Sequence, residues 1–326
     1  MLKRDTHLLR INARKTPVEW TRIVTIVITS CTNRKRKSTA SGLGIATVAD
    51  GALPAVAAAW GELLRGSQER YAAIDLYGGR SFQEAAGAAK ALEADLLIVS
   101  AGLGLLDART AVPAYRCTVI PGADDSVSAR VQGDFSLAAW WAALREMSPF
   151  AQPLAKLVKR SHGLILVALS DAYLEMLAPE IAALPADALA RVRIFTRAPK
   201  RHVAPDLLPL LMPYDDRLDG PDSSIRGTRS DFASRALAHF TALKSAGSAN
   251  DDAALVRTAL DDWRMPNKVE RLRHDDASLI SLMHSHWNAV NGSSSRLLRV
   301  FRDDLGVACE QSRFAVLARQ VRGERS

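Results

Sequence analysis

The chain is poor in cysteine. Its three thiols, Cys31, Cys117 and Cys309, are spread over 326 residues with no CxxC pair. That excludes a disulfide framework and a zinc ribbon, and it fits a reducing, cytoplasmic setting. Long apolar runs are also missing: none approaches the ~20 residues of a membrane span, and the opening MLKRDTHLLRINARK lacks the apolar core of a secretory signal. No membrane partner is expected. His284 and His286 stand two apart, on different sides of any helix, so no metal is expected, and nothing calls for another cofactor. The GxxxxGK[ST] phosphate loop is absent, and Gly42-Leu43-Gly44 is too short for a dinucleotide fingerprint. No internal repeat or extended low-complexity tract is seen.

What is present is an ordinary globular composition, 48% hydrophobic and 24% charged, with a net charge of +8. The charge is unevenly placed. Residues 1–37 hold ten Lys/Arg against Asp5 and Glu19, which accounts for the whole excess. A localised basic arm suits a phosphate-bearing partner, and a solvated tail explains it equally well.

The stretch Asp95 to Thr118 organises the rest. Leu96-Leu97-Ile98-Val99 is a buried-strand pattern that runs into Ser100-Ala101-Gly102-Leu103-Gly104 and ends on Tyr115-Arg116. Open α/β sheets bind ligands at such carboxyl edges. Arg22 to Thr29 (RIVTIVIT) predicts a first buried strand, delivering Ser30, Cys31, Arg34, Lys35, Arg36 and Lys37 to one loop suited to phosphate. Gly163 to Ala168 and 191–196 predict two more strands. Between the first of these and its following helix, Ser170 and Asp171 reach the same edge, where either can also serve simply as an N-cap. Ala-rich helices are predicted over 53–64 and 81–92, and a strongly apolar one over 135–147, whose Trp140 and Trp141 read as core. The Pro-rich segment 199–222 predicts irregular chain, leading through Arg226-Gly227-Thr228-Arg229 into a helix over 231–243.

Residues 245–252 (SAGSANDD) read as a linker to a helical domain over 253–326. Its pieces, 275–290, 293–304 and 310–321, suit a helix-turn-helix with Gln311, Ser312, Arg313 and Arg319 on the reading helix, or else a packed bundle. The expected architecture is thus a basic arm (1–21), an α/β domain (22–244) with a mixed or mostly parallel central sheet flanked by helices, and a C-terminal all-α, helix-turn-helix-like domain.

Taken in order, the motifs of residues 22–243 resemble the YaaA-like family, known from peroxide-stress proteins. Thr29 to Lys35 is similar to its first Ser-containing loop and Asp75-Leu76-Tyr77-Gly78-Gly79 to its xLYxG element. Val99 to Leu106 with Pro113 to Arg116 is similar to LSGxYGLLxPxDxxxPYR, Val167 to Leu174 (including Ser170, Asp171 and Tyr173) to NLASDEYF, and Ile225 to Phe232 to ARGxxSRF. Ala101-Gly102-Leu103 departs from the family's Gly-x-Tyr, and the C-terminal domain lies outside the pattern. The resemblance implies a basic cleft for nucleic acid, related to uracil-DNA-glycosylase-like domains of deazaguanine-handling enzymes.

Three functions fit these residues. The first is an enzyme acting on a nucleobase or glycosidic bond, in DNA before RNA. Asp171 would be its base or electrostatic stabiliser, and Cys31 a nucleophile if neighbouring cations lower its pKa. Ser30, Ser100 and the N–H groups of Gly102 and Gly104 would hold base or phosphate, and Arg116, Arg226 and Arg229 would grip phosphates. The second is a non-catalytic DNA-binding stress or defence protein, with operon-encoded protein partners. The third is a small-molecule nucleotide hydrolase or transferase.

Overall fold

The computed structural model describes residues 24–245, 247–267 and 271–325, with Ser312 described by its backbone alone. The basic arm expected over 1–21 lies outside them. The chain divides into two compact units between Met265 and Pro266.

The first unit is built on a five-stranded sheet. Its strands are β1 (Ile26–Ser30), β2 (Asp95–Ser100), β3 (Gly104–Asp107), β4 (Ile165–Ala168) and β5 (Val192–Phe195). They lie in the order β3-β2-β1-β4-β5, all parallel except β3, which folds back on β2 as a hairpin. The runs IVITS, DLLIVS, ILVA and VRIF are almost wholly buried, as parallel strands covered on both faces must be. The chain leaves β1 toward β2, then returns to pair on the other side of β1 as β4. The direction of winding therefore reverses between the carboxyl ends of β1 and β4, and such a reversal opens a crevice there.

Two groups of helices cover the sheet. Helices α2 (Arg80–Ala91) and α5 (Phe232–Leu243) pack side by side, α2 against β1 and β2 and α5 against β4 and β5. Helices α1 (Leu53–Gly66), α3 (Leu137–Met147) and α4 (Asp171–Ala182) form the second group. Trp140 and Trp141 are buried in it, as their apolar neighbours predict. The Pro-rich stretch forms short 3-10 turns over Lys200–His202, Pro205–Leu210 and Asp216–Asp219, because repeated prolines remove the donors a longer helix needs.

The expected linker at 245–252 is instead tied into this unit. Residues Ala249–Ala259 form helix α6, and Asp252 is fully buried against Arg193 of β5, with Nε and Oδ2 2.6 Å apart. Arg193 also donates to the carbonyls of Ala190, Val192 and Gly247, and Ser245 Oγ donates to the Asp252 carboxylate. The small and acidic residues that look like linker in sequence are the partner of a buried cation that β5 carries inward.

The second unit has its own core of Leu279, Met283, Leu297, Phe301, Phe314 and Val321 among others. Its helices are α7 (Asp276–His286), α8 (Ser294–Asp303) and α9 (Gln311–Glu324). It is not all-α: Leu272–Arg273 pairs in parallel with Val307–Ala308. That strand occupies the connection between α8 and α9, which runs from Asp304 to Glu310. A helix-turn-helix joins its helices in three or four residues, so the expected tight turn is not formed here.

Candidate functional site

Cys31 follows directly on β1. Its N–H still donates to Val99 O at 2.9 Å, so the thiol is carried to the carboxyl edge of the sheet and buried there. Tyr173 arrives from the first turn of α4, on the other side of the crevice, and its hydroxyl lies 3.2 Å from Cys31 Sγ. Burial, with Cys31 alongside, pushes the phenol of Tyr173 well above its ordinary value, so it stands there as a neutral hydroxyl. Ser30 closes β1 half-buried beside them.

The basic loop is sorted by a backbone bridge. Lys35 pairs antiparallel with Tyr77, Gly78 N–H donates to Arg34 O and Arg36 N–H to Leu76 O, both at 2.9 Å. Extended chain sends successive side chains to opposite faces. Lys35 accordingly turns inward while Arg34, Arg36 and Lys37 are exposed. Lys35 Nζ sits 4.3 Å from the centre of the Tyr115 ring, a cation–π contact worth about 0.5–2 kcal/mol. Burial lowers the Lys35 ammonium below its ordinary 10.5, against the opposing pull of Cys31, Cys117 and Asp125. One of the four expected cations therefore belongs to the crevice, and it is the one tuned toward the neutral amine.

The turn after β2 forms the back wall of this site and spends two of the groups expected on ligand, the Ser100 hydroxyl and the Gly102 N–H, on its own closure. Ser100 Oγ accepts from the N–H of Gly102 at 3.3 Å and of Leu103 at 3.0 Å, and contacts Tyr115 Oη at 2.6 Å. Tyr115 Oη in turn lies 3.1 Å from Tyr77 Oη. The carbonyls are also taken: Trp140 donates to Ala101 O, Trp60 to Gly102 O and Ser148 to Leu103 O. Ser100 and Tyr115 are fully buried. A Cβ on Gly102 would come within 2.6 Å of Tyr115, and Gly104 holds φ +86° at the hairpin. The small residues are there for close packing and a sharp reversal. Neighbouring Arg116 is exposed and lines a separate hollow of about 300 Å³ with the 39–47 segment, Asp124 and Asp125.

Asp171 opens onto a groove of about 390 Å³ with Ser170, Arg197, Arg229, Ser230 and Phe232. Ser170 sits at the N-cap position of α4 but makes no capping bond, so its hydroxyl is free of the structural duty that would explain it. Arg197 is paired to Asp216 at 2.5 Å, whereas Arg229 is exposed and has no hydrogen-bond or ion-pair partner among the described residues. Arg229 is held out by a buried scaffold. Arg235, 1% exposed, binds Asp231 at 2.7 Å, Asp219 at 2.9 Å and the carbonyls of Leu218, Ile225 and Thr228. Burial alone would raise the Asp231 carboxyl, but hydrogen bonds from Arg235 and Thr228 outweigh it and hold the group below its ordinary value. Gly227 is enclosed by this pair, where a Cβ would lie 2.5 Å from both. Arg226, expected on phosphate, turns back to the carbonyls of Pro221 and Ser223 and is spent on the loop.

In the second unit Arg313 pairs with Asp276 and donates to His274 O. Arg319 is exposed six residues further along α9, about 120° around the helix at 3.6 residues per turn. The two arginines do not share a face, and a single reading surface does not form from them.

The fold thus brings Cys31 and Tyr173 into contact, holds Lys35 on the Tyr115 ring within electrostatic reach of Cys31, and places Ser170, Asp171 and Arg229 in a groove that shares the first turn of α4. The roles of Arg197, Tyr77 and the Asp231–Arg235 scaffold do not show in the sequence. The one signal there is the i,i+4 spacing of Asp231 and Arg235 behind Thr228, whose capping box with Asp231 is present. Among the described residues no group of three His, Cys, Asp or Glu is placed to hold a metal ion, and no helix is long and apolar enough to cross a membrane. No family model, curated protein or solved structure matches the chain.

Proposed function

We propose that the protein binds nucleic acid, DNA in preference to RNA, and acts on a nucleobase or its glycosidic bond at the carboxyl edge of the sheet, as its resemblance to YaaA-like proteins implies. The observation that carries this reading is the contact of Cys31 with Tyr173 where the winding of the sheet reverses, with Lys35 held on the Tyr115 ring within electrostatic reach of Cys31. Neutral hydroxyl, thiol and a lysine tuned by burial suit recognition of the polar edge of a base, whose donors and acceptors are uncharged. The exposed Arg34, Arg36 and Arg229 supply the phosphate contacts such a substrate needs. Asp171, beside Arg229, takes the proton of an attacking water as its oxygen bonds to the sugar carbon and the base departs. A base within a duplex must first be swung out of the stack. A cytoplasmic stress or defence role belongs to the same proposal.

A second reading, binding without catalysis, is favoured by the turn after β2, whose Gly102 and Leu103 N–H groups are already spent on Ser100 Oγ and are not turned to a developing negative charge. Incubating the protein with duplex DNA, single-stranded DNA and tRNA, followed by mass spectrometry of the nucleosides, separates the two. Catalysis predicts an altered or released base that disappears in Asp171→Asn, and tight binding with unaltered nucleosides supports the second reading.

A further inference from the structure

The second unit contains a cleft of about 660 Å³ that the first unit's chemistry does not use. It is lined by Arg271 and Arg273 beside the short strand, Arg302 of α8, Arg313 of α9, and the Val307 to Glu310 segment that runs between them. Four guanidiniums from three places in the sequence, 42 residues apart at the extremes, are gathered around one space.

Their charges are unequally compensated. Arg313 is paired with Asp276 at 2.6 Å, and Arg271 lies 3.8 Å from Asp303 while donating to Arg302 O. Arg302 donates to the carbonyl of Cys309 at 3.3 Å and forms no ion pair among the described residues. The Arg273 side chain has no partner among them either. Glu310 is the one carboxylate among the lining residues. Four guanidiniums stand against three carboxylates, Asp276, Asp303 and Glu310, and the excess positive charge costs repulsion, which a bound anion relieves. Guanidinium forks match the paired oxygens of phosphate.

We infer that this cleft binds phosphate groups of a nucleic-acid backbone or a nucleotide, through Arg273 and Arg302 chiefly. The volume is that of a nucleotide-sized site. Its apolar lining is Val307, Ala308 and Cys309, with no aromatic ring on which a base would stack. Contact is therefore to phosphate, and independent of base sequence. This differs from a reading helix, and it stands on the second unit alone, whatever the first unit proves to do.

The test uses the full chain and a labelled oligonucleotide of mixed sequence, with affinity followed against salt concentration. Arg273→Glu and the pair Arg273→Gln/Arg302→Gln are compared with wild type, with Arg319→Gln as the reading-helix control and Arg229→Gln as the first-unit control. The inference predicts about a tenfold loss in the cleft variants and a salt slope shallower by about 0.9 for each phosphate no longer held, so by about 2 in the paired variant. It predicts a smaller effect for Arg319→Gln. Since the Arg273 side chain makes no bond among the described residues, Arg273→Glu reads binding even if the paired variant is poorly folded. Should ATP or pyrophosphate bind in a variant-sensitive way while the oligonucleotide does not, the phosphate comes from free nucleotide. Cleft variants that leave both oligonucleotide and nucleotide binding unchanged overturn the inference, and so does a polyglutamate peptide binding the cleft in preference to either. An effect of Arg229→Gln alone would support the first-unit site and contradict this one.

Discussion

Cys31 and Tyr173, 142 positions apart in sequence, bring sulfur and hydroxyl to 3.2 Å across the point where the sheet reverses its winding. The contact joins the end of β1 to the first turn of α4, the helix that follows β4, so it reports whether the site is assembled. A double-mutant cycle with Cys31→Ala and Tyr173→Phe, followed by urea unfolding, should give a coupling of about 0.5–1.5 kcal/mol, the net worth of one buried hydrogen bond. Additive effects would mean that the two groups do not meet in solution.

Lys35 gives the site a pH signature. Its folded pKa lies below 10.5, so between that lower value and 10.5 the unfolded chain holds more protons than the folded one. Unfolding free energy contributed by this group then rises with pH across that window. In denaturant titrations at increasing alkaline pH, the difference between wild type and Lys35→Met should move in favour of wild type. A constant difference would show that Lys35 is not buried as described.

The pair of Arg193 and Asp252 ties the 245–252 segment and α6 into the first unit. Asp252→Ala leaves a buried guanidinium uncompensated and should cost about 3–5 kcal/mol. Replacing both residues with apolar ones, Arg193→Met with Asp252→Leu, should recover much of that loss. If Asp252→Ala is neutral in thermal unfolding, residues 245–252 behave as the linker they resemble.

Gly102 is enclosed by Tyr115 and Cys117, where an added Cβ meets them at 2.6 and 2.9 Å. Gly102→Ala should destabilise by about 1–3 kcal/mol through overpacking. Because the turn is wall and not ligand site, the variant should weaken nucleic-acid affinity only as far as it unfolds the protein. A large loss of affinity at full stability would restore the turn to the binding surface.

The sequence disclosed the strands because parallel strands buried on both faces are near-continuously apolar, and Ile26 to Ile28, Leu96 to Val99 and Ile165 to Ala168 all are. It also placed Ser170 and Asp171 at the start of α4. What stayed hidden depended on tertiary partners. Nothing local distinguishes Lys35 from Arg34 and Arg36; its inward turn comes from a bridge to Tyr77, 42 residues away. Ser100 and Gly102 look like ligand groups until Ser100 Oγ is seen to accept the N–H groups of Gly102 and Leu103 and to contact Tyr115, and Gly104 until its positive φ is seen to turn the hairpin. Asp252 looks solvated until Arg193 reaches it. Lys35 and Asp252 are each a polar group whose role is set by a residue far along the chain.

The central claim is that the crevice does chemistry on a base. Its most direct test is nucleoside mass spectrometry on DNA and tRNA treated with wild type, Asp171→Asn and Lys35→Met. The account predicts a changed or released base with wild type that falls by about 10²–10⁴-fold in Asp171→Asn, the worth of one general base, and that is reduced in Lys35→Met through weaker recognition of the base. Identical nucleosides from all three proteins, in substrates that wild type binds tightly, would contradict it.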